Sequence, residues 1–426
     1  MEIALFGLLF FLMALLGTPL FIIIGAIALF SFYGQGIDSS AIIIEMYRLS
    51  NAPALLAIPL FTFAGYVLSE SNAPKRLVNL SRALLGWMPG GLAVVALITC
   101  ATFTALMGAS GVTIIALGGL LFPALINEKY PEKFSLGLLT SSGSLGLLLP
   151  PSLPIILYGL VAQISIDKLF LAGLIPGIIM ILLLAIYSLF IGKRTHVPVV
   201  AFSWRNLGRS LKEAMWEIPL PIVIIGGIYG GLFTVTEAAA ITAVYVLVVE
   251  VVIYREIHIF RDVPKIMRSS MLLVGGILVI LGMALGLTNY LIDAEIPMKI
   301  LNSMQQHVHS KILFLIMLNV FLLILGCMID IFSAIIVAVP LIVPVATSFG
   351  VDPIHLGIIF LVNLEIGYNT PPVGMNLFIA SFRFKKPILK LYLAAIPFLI
   401  ILLISLIIVT YIPDLSLWLV RVAGTP

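Results

Sequence analysis

Residues 365–378 read EIGYNTPPVGMNLF, Glu365 to Phe378, and lie between two runs almost free of charge, HLGIIFLVNL before and IASF after. A carboxylate, an Asn, a Thr and two adjacent prolines thus interrupt what otherwise reads as one membrane crossing. Proline removes a backbone donor and pushes the residue before it out of the helical region. Non-helical backbone at membrane depth is tolerated only where it is buried in protein or lines a wet cavity. The stretch therefore predicts a broken helix built around a polar site.

Composition sets the frame for that reading. Of 426 residues 62% are hydrophobic and 10% charged, and the mean hydropathy is +1.22, too little polar surface to coat a water-soluble globule of this length. Apolar runs near the roughly 20 residues that span a bilayer recur along the whole chain, with no soluble domain between them. The first run, IALFGLLFFLMALLGTPLFIII, lacks a basic leader and a cleavage site and reads as a retained helix. Cys100 and Cys327 lie in apolar runs and read as small core residues.

An internal repeat explains the broken crossing. Leu106 to Leu125, LMGASGVTIIALGGLLFPAL, is followed by a polar turn and GLLTSSGSLGLLLPPSLP; Cys327 to Ala346, CMIDIFSAIIVAVPLIVPVA, is followed by a polar turn and GIIFLVNLEIGYNTPPVG. One register aligns Met107 with Met328, Pro123 with Pro344, Gly146 with Gly367 and Pro150-Pro151 with Pro371-Pro372. Both halves carry G-x-x-x-P-P, so the motif is one of a pair.

The first half reads as spans near 3–17, 19–34, 53–71, 133–162 (broken at its centre) and 168–192, with a re-entrant hairpin at 90–127. An odd number of crossings starts the second half on the opposite side, which makes the repeat inverted. Its spans are expected near 217–232, 235–254, 269–291, 353–382 and 391–412, with a hairpin at 312–348. The first repeat is thus 1–216, including a linker at 193–216, and the second 217–426. Mixed segments at 69–90 and 293–311 precede the hairpins and read as interfacial helices, placed to act as arms. With the linker cytoplasmic, all 23 Lys and Arg fall on that side except Arg48, Lys168, Lys299, Lys311 and Arg421. That satisfies the positive-inside rule and puts both termini outside. The expectation is an all-α, multi-pass membrane protein: an inverted-repeat secondary transporter with two re-entrant hairpins and two proline-broken helices.

The breaks suggest the chemistry. Carbonyls freed at residues 146–149 and 367–370 are hard ligands for a bare alkali cation such as Na+, with further oxygens from the hairpin tips, 108–111 and 328–331. Half-helices that begin after each break and tip aim positive dipole ends at an anionic substrate. Asp330 lies within LLILGCMIDIFSAIIVAV, where an ionisable group is a functional candidate. Glu365 and Glu237 are either functional or buried acids paired with hydroxyl or backbone groups. Ser141, Ser142, Ser144 and Asn369 are either helix-end caps or substrate ligands, and the residues alone do not separate the two.

Three stretches, PPSLPIILYGLVAQISIDKLFLAGLIPG, GGIYGGLFTVTEAAAITAVY and NLEIGYNTPPVGMNLF, closely resemble the large membrane subunit of tripartite ATP-independent periplasmic (TRAP) transporters, the DctM-like family. The resemblance covers nearly the whole chain. It implies a Na+-coupled elevator carrier in a bacterial inner membrane. A small four-helix membrane subunit and a periplasmic binding protein would work with it to deliver organic acids such as C4-dicarboxylates or sialic acid. It places a first Na+ site on Gly108, Ala109, Ser110, Gly146, Leu149 and Pro151, and a second on Asp330, Gly367 and Thr370, beside Pro372. Ser142, Ser144, Asn369 and Thr370 are the candidate substrate ligands. Ser110 is the first tip's only hydroxyl before Thr113. The chain has no room for a fused small subunit, so that partner is expected as a separate polypeptide.

Two other readings compete. A Na+/dicarboxylate symporter of related architecture would work without a binding protein. The tip GASG also matches the G-x-S-G of intramembrane serine proteases, but such a serine needs a histidine base inside the membrane. His196, His258, His307, His309 and His355 all fall in loops or at span ends. No enzyme activity and no nucleic-acid partner are expected.

Overall fold

Proline, glycine and apolar run length decide where each helix of the chain begins and ends. The computed structural model describes residues 12–13, 16–38, 40–195, 197, 201–306, 308 and 310–423, which form helices and connecting turns and no strand. α1 (Leu20–Gly34), α2 (Ser40–Ser50) and α3 (Ala57–Glu70) lead to the amphipathic α4 (Ala73–Leu85). Then come α5 (Gly91–Met107) and α6 (Ser110–Asn127), the two limbs of the first hairpin. The first broken crossing is α7 (Glu132–Ser142), a 3-10 turn (Leu145–Leu148) and α8 (Leu153–Ala162), and α9 (Ile166–Arg194) closes the half.

The second half repeats this order. α10 (Trp204–Glu213) lies in the linker and is followed by α11 (Pro219–Tyr229), α12 (Val235–Val248) with a π-helical turn (Val249–Ile253), and α13 (Val263–Asp293). α14 (Ile296–Gln305) precedes the second hairpin, α15 (Lys311–Met328) and α16 (Ile331–Ser348). The second broken crossing is α17 (Pro353–Gly367) and α18 (Met375–Phe384), and α19 (Ile388–Tyr411) and α20 (Asp414–Val422) complete the described chain. Among the described residues eight helices are long and apolar enough to cross a membrane, and α7 to α8, bent by 44°, is a ninth candidate.

The differences from sequence expectation have local causes. The span at 3–17 lies largely outside the described residues. The arms are shorter than 69–90 and 293–311, because Pro74 and Pro297 fix each start at the second helical position. α13 starts at Val263, ahead of the apolar run at 269, since Lys265 and Arg268 sit comfortably in exposed helical turns. Short, mixed-polarity α2, α10 and α20 carry no long apolar run, so hydropathy does not mark them.

The hairpins exchange partners between the halves. α5 packs on its own half's break at 145–148, while α6 packs on α18 of the other half. In the same way α15 packs on α17, while α16 packs on α8. A second group, α1, α2 and α12, gathers around α13 and α3, which in turn touch the hairpins through α16 and α5. At residues 132, 386 and 390 an ion cluster joins the start of α7 to the turn before α19 and the first turn of α19. Lys386 and Lys390 lie 2.6 and 2.9 Å from the Glu132 carboxylate.

Two glycines let the breaks come against their hairpins. A Cβ on Gly146 would lie 2.1 Å from the Ala101 carbonyl oxygen and 2.4 Å from the Ala105 nitrogen. A Cβ on Gly367 would lie 2.5 Å from the Gly326 carbonyl carbon. In the repeat register Ala105 and Gly326 are themselves equivalent, so the same backbone-to-backbone contact is built twice. Gly146→Ala or Gly367→Ala should cost about 1–3 kcal/mol through overpacking. Gly275→Ala, in open space on α13, should be neutral or stabilising by about 0.5–1 kcal/mol. Thermal unfolding in detergent reads the contrast, and equal shifts in all three variants would count against the contact.

Candidate ion and substrate site

The first tip turns because Gly108 takes a left-handed φ of +65° that a side chain would strain. Its N–H closes α5 on the Thr104 carbonyl at 2.7 Å. Ala109 is extended and Ser110 opens α6. The buried Ser110 hydroxyl then donates to Oδ1 of Asn376 at 2.8 Å. The Asn376 amide reaches Oδ1 of Asn369 at 3.5 Å, and the Asn369 amide donates to the Ser144 hydroxyl at 3.2 Å. Ser110, Asn376, Asn369 and Ser144 thus form a buried polar row joining the first tip, α18, the second break and the first break. Thr104 reinforces it, with its hydroxyl 2.6 Å from that of Thr113 and 2.8 Å from the Gly143 carbonyl.

The second tip is tied differently. Asp330 caps α16, accepting the N–H groups of Phe332 and Ser333 at 3.0 Å each and the Ser333 hydroxyl. The Tyr368 hydroxyl accepts the Ile331 N–H at 2.6 Å, and the Gly374 N–H donates to the Cys327 carbonyl at 3.0 Å. The second tip and second break are therefore pinned to each other through backbone groups.

At the breaks the carbonyls are less free than the sequence implied. Gly146 O accepts from Leu149 N at 3.0 Å and Gly367 O from Thr370 N at 2.9 Å, because the chain tightens into a 3-10-like turn before each proline pair. Each carbonyl keeps a second lone pair for a ligand. The Thr370 hydroxyl donates back to Ile366 O at 2.9 Å and keeps its acceptor capacity. The two breaks differ in cover: Pro150 and Pro151 are buried, Leu149 is half-buried, and Pro371 and Pro372 are exposed. Both proline pairs are joined by cis peptide bonds.

Of the expected residues, Asn369 and Ser144 are brought into direct contact, Ser110 is joined to them through Asn376, and Gly108, Ala109, Gly146, Leu149 and Pro151 lie along the same tip and break. Asp330, Gly367, Thr370 and Pro372 belong to the second tip and break. Ser142 stands outside the row, its hydroxyl turned to Leu139 O at 3.4 Å. Glu237 is a correction: it is exposed and forms a capping box with Thr234, so its carboxylate serves the start of α12 and lies in no buried site. Glu365 is fully buried, and neither carboxylate oxygen has a hydrogen-bond partner among the described residues. In the repeat register it occupies the place of Ser144. Both cysteines are buried and free.

Asn376 and Tyr368 were missed. Asn376 is the one amide in the half-helix after the break and stands seven residues, about two helical turns, beyond Asn369. Because the break interrupts the helical count, that spacing carries no warning in the sequence. Ser110 donates to an amide oxygen and not to a histidine, which removes the basis for reading GASG as a protease motif.

Paired tips meeting paired breaks in an all-helical, multi-span chain define a membrane transporter fold. The crystal structure of the Alcanivorax borkumensis YdaH transporter, described as revealing an unusual topology, matches 90% of this chain and 88% of its own, with a TM-score of 0.63 and 15% identity. At that identity the likeness shows the fold alone. The family is shown by sequence: the model of the tripartite ATP-independent periplasmic transporter, DctM component, matches residues 6–415, and the chain belongs to that family. It is 36% identical to the C4-dicarboxylate TRAP transporter large permease protein DctM of Pseudomonas aeruginosa, over 92% of each chain. It is 35% identical to the isethionate TRAP transporter permease protein DctMQ of Oleidesulfovibrio alaskensis, over 96% of this chain and 65% of that one. These relatives are transporter permeases, not enzymes.

A double-mutant cycle tests the polar row. Ser110→Ala and Asn376→Ala should each destabilise, with a coupling energy of about 0.5–3 kcal/mol in thermal unfolding. Ser142→Ala, outside the row, should change stability by less than about 0.5 kcal/mol. Additive effects of the first two would mean that the row holds nothing together.

Proposed function

We propose that this chain is the transporting subunit of a Na+-coupled importer of an organic acid anion, a C4-dicarboxylate or a similar acid, in a bacterial inner membrane. The observation that carries this is the buried row from Ser110 to Ser144, which joins the first tip to both breaks without a charged side chain, while the second tip with Asp330 is tied to the second break beside it. Its hydroxyl, amide and carbonyl oxygens fit a hard, weakly charged cation such as Na+. The N-termini of α6, α8, α16 and α18 supply positive dipole ends for a carboxylate. Gly108, Ala109, Ser110, Gly146, Leu149 and Pro151 would hold one ion, and Asp330, Gly367 and Thr370, beside Pro372, a second. Ser144, Asn369 and Thr370 are the nearest substrate contacts, with Ser142 a turn away. The dicarboxylate and isethionate relatives support an anionic substrate.

In this reading the hairpins and broken crossings slide as one body against the group around α3 and α13, with α4 and α14 as arms. A binding protein delivers the substrate, and a separate small four-helix subunit braces the scaffold. The length of the DctMQ relative beyond this chain fits such a subunit fused in place. The charge distribution favours both termini outside.

Uptake of labelled succinate into proteoliposomes tests this, with the small subunit, the binding protein and an inward Na+ gradient each present or absent. All three should be required. Asp330→Asn keeps the α16 cap, since Asn caps as well as Asp, and removes the charge. It should cut uptake by about tenfold or more, equivalent to about 1.4 kcal/mol, and weaken the dependence on Na+. Uptake without a binding protein would favour the symporter alternative, and Na+-independent uptake would overturn the coupling.

A further inference from the structure

We infer that the two arms are mechanically unequal: an ionic node centred on Arg76 fixes the start of α4, while the start of α14 is unpinned and is the arm whose angle changes during transport. The inference rests on the sliding-body reading above and adds which arm bends.

Arg76 is the fourth residue of α4, two places after Pro74, and is only 7% exposed. Its three guanidinium nitrogens each take a different carboxylate. Nε lies 2.5 Å from Glu217, Nη2 2.7 Å from Glu250 and Nη1 2.7 Å from Glu256. Glu217 stands just before α11, Glu250 in the π-helical turn after α12, and Glu256 in the loop beyond it. The guanidinium carbon sits 3.8 Å above the centre of the Tyr254 ring, whose hydroxyl is within hydrogen-bond reach of Glu217 Oε2 at 3.2 Å. The second oxygen of Glu256 accepts the Asn72 N–H at 2.7 Å. The node therefore holds both the backbone before α4 and a side chain of its first turns, using groups from the other half of the chain.

Only a planar fork serves three acids in three directions; an ammonium is a point charge with no such geometry. Without the guanidinium, buried carboxylates would face one another with nothing between them. Among the described residues no other cation is paired with Glu217, Glu250 or Glu256.

The second arm offers the comparison within the same molecule. Pro297, like Pro74, is the second residue of its helix, and that register sets Lys299 opposite Arg76 and Asn302 opposite Asn79. Lys299 is exposed, and its ammonium donates to the Ala294 carbonyl at 2.9 Å, five residues back in its own segment. No ion pair to Lys299 exists among the described residues. An apolar cavity of about 320 Å3 also lies between part of α14 and its hairpin, walled by Ile300, Met304, Phe314, Met317, Ala338 and Val345, although α14 still packs on α16. A shift of α14 across an apolar cavity breaks no hydrogen bond. A cleft of about 410 Å3 borders α4 as well, but it opens on the α10 side, away from the hairpin.

Spin-label pairs in the assembled transporter in nanodiscs test this, read with and without Na+ and succinate. Labels at Lys75 and Lys265 report the first arm against α13. Labels at Tyr33 and Asn302 report the second arm against α1, and labels at Tyr33 and Val320 report the second hairpin; all five sites are exposed. The hairpin pair and the second-arm pair should redistribute, and Lys75–Lys265 should keep one narrow distance. In Arg76→Lys that distance should broaden, and maximal uptake should fall about tenfold with KM unchanged, the mark of a step after binding. If the hairpin pair moves while both arm pairs behave alike in the wild type, the inference fails and the sliding-body reading stands. If the hairpin pair stays fixed, both fail. The wild-type comparison holds even if Arg76→Lys does not fold.

Discussion

Two backbone contacts, Gly146 against α5 and Gly367 against α15, carry the architecture of this protein. In a bilayer an unpaired backbone group costs several kcal/mol, so a helix can be broken at depth only if protein closes over the break. Glycine allows that closure because it lets two backbones approach without a side chain between them. The same contact appears in both halves, at equivalent positions, which is what a duplicated solution to one physical problem looks like. Once the breaks are sealed in this way, the hairpin tips have a fixed surface to meet.

The polar row follows from that sealing. Ser110, Asn376, Asn369 and Ser144 come from four separate elements, and each is buried with its hydrogen-bonding capacity largely used by the others. Buried polar groups are costly alone and inexpensive when satisfied. The row is thus stable as found, yet made of the neutral oxygen and amide groups that a cation and a carboxylate take in exchange for water. The repeat is not symmetric here. The place that Ser144 holds in one half is taken in the other by Glu365, whose carboxylate has no partner among the described residues. Asymmetry recurs at the arms, where Arg76 in one half answers to Lys299 in the other.

Much of the fold was legible in the sequence. The apolar runs predicted helices throughout, Pro150-Pro151 and Pro371-Pro372 marked where two of them break, and Met107-Gly108 and Met328 to Asp330 marked the two tips. Helix ends were displaced by several residues wherever a charged first turn or a proline start set the boundary against the hydropathy. Glu237 was misplaced because an acid in an apolar neighbourhood looks buried, whereas a capping residue at a helix start is exposed.

The sequence by itself determined the class of protein, the pairing of breaks with tips and the family, because these depend on local residue types and on a register that repeats along the chain. Only the tertiary structure decided which side chains meet. Asn376 with Ser110, and Arg76 with Glu217, Glu250 and Glu256, are separated by 266, 141, 174 and 180 residues. No periodicity links such positions. They come together because the hairpins exchange partners between the halves and because the segments that carry Glu217, Glu250 and Glu256 to Arg76 belong to the opposite half.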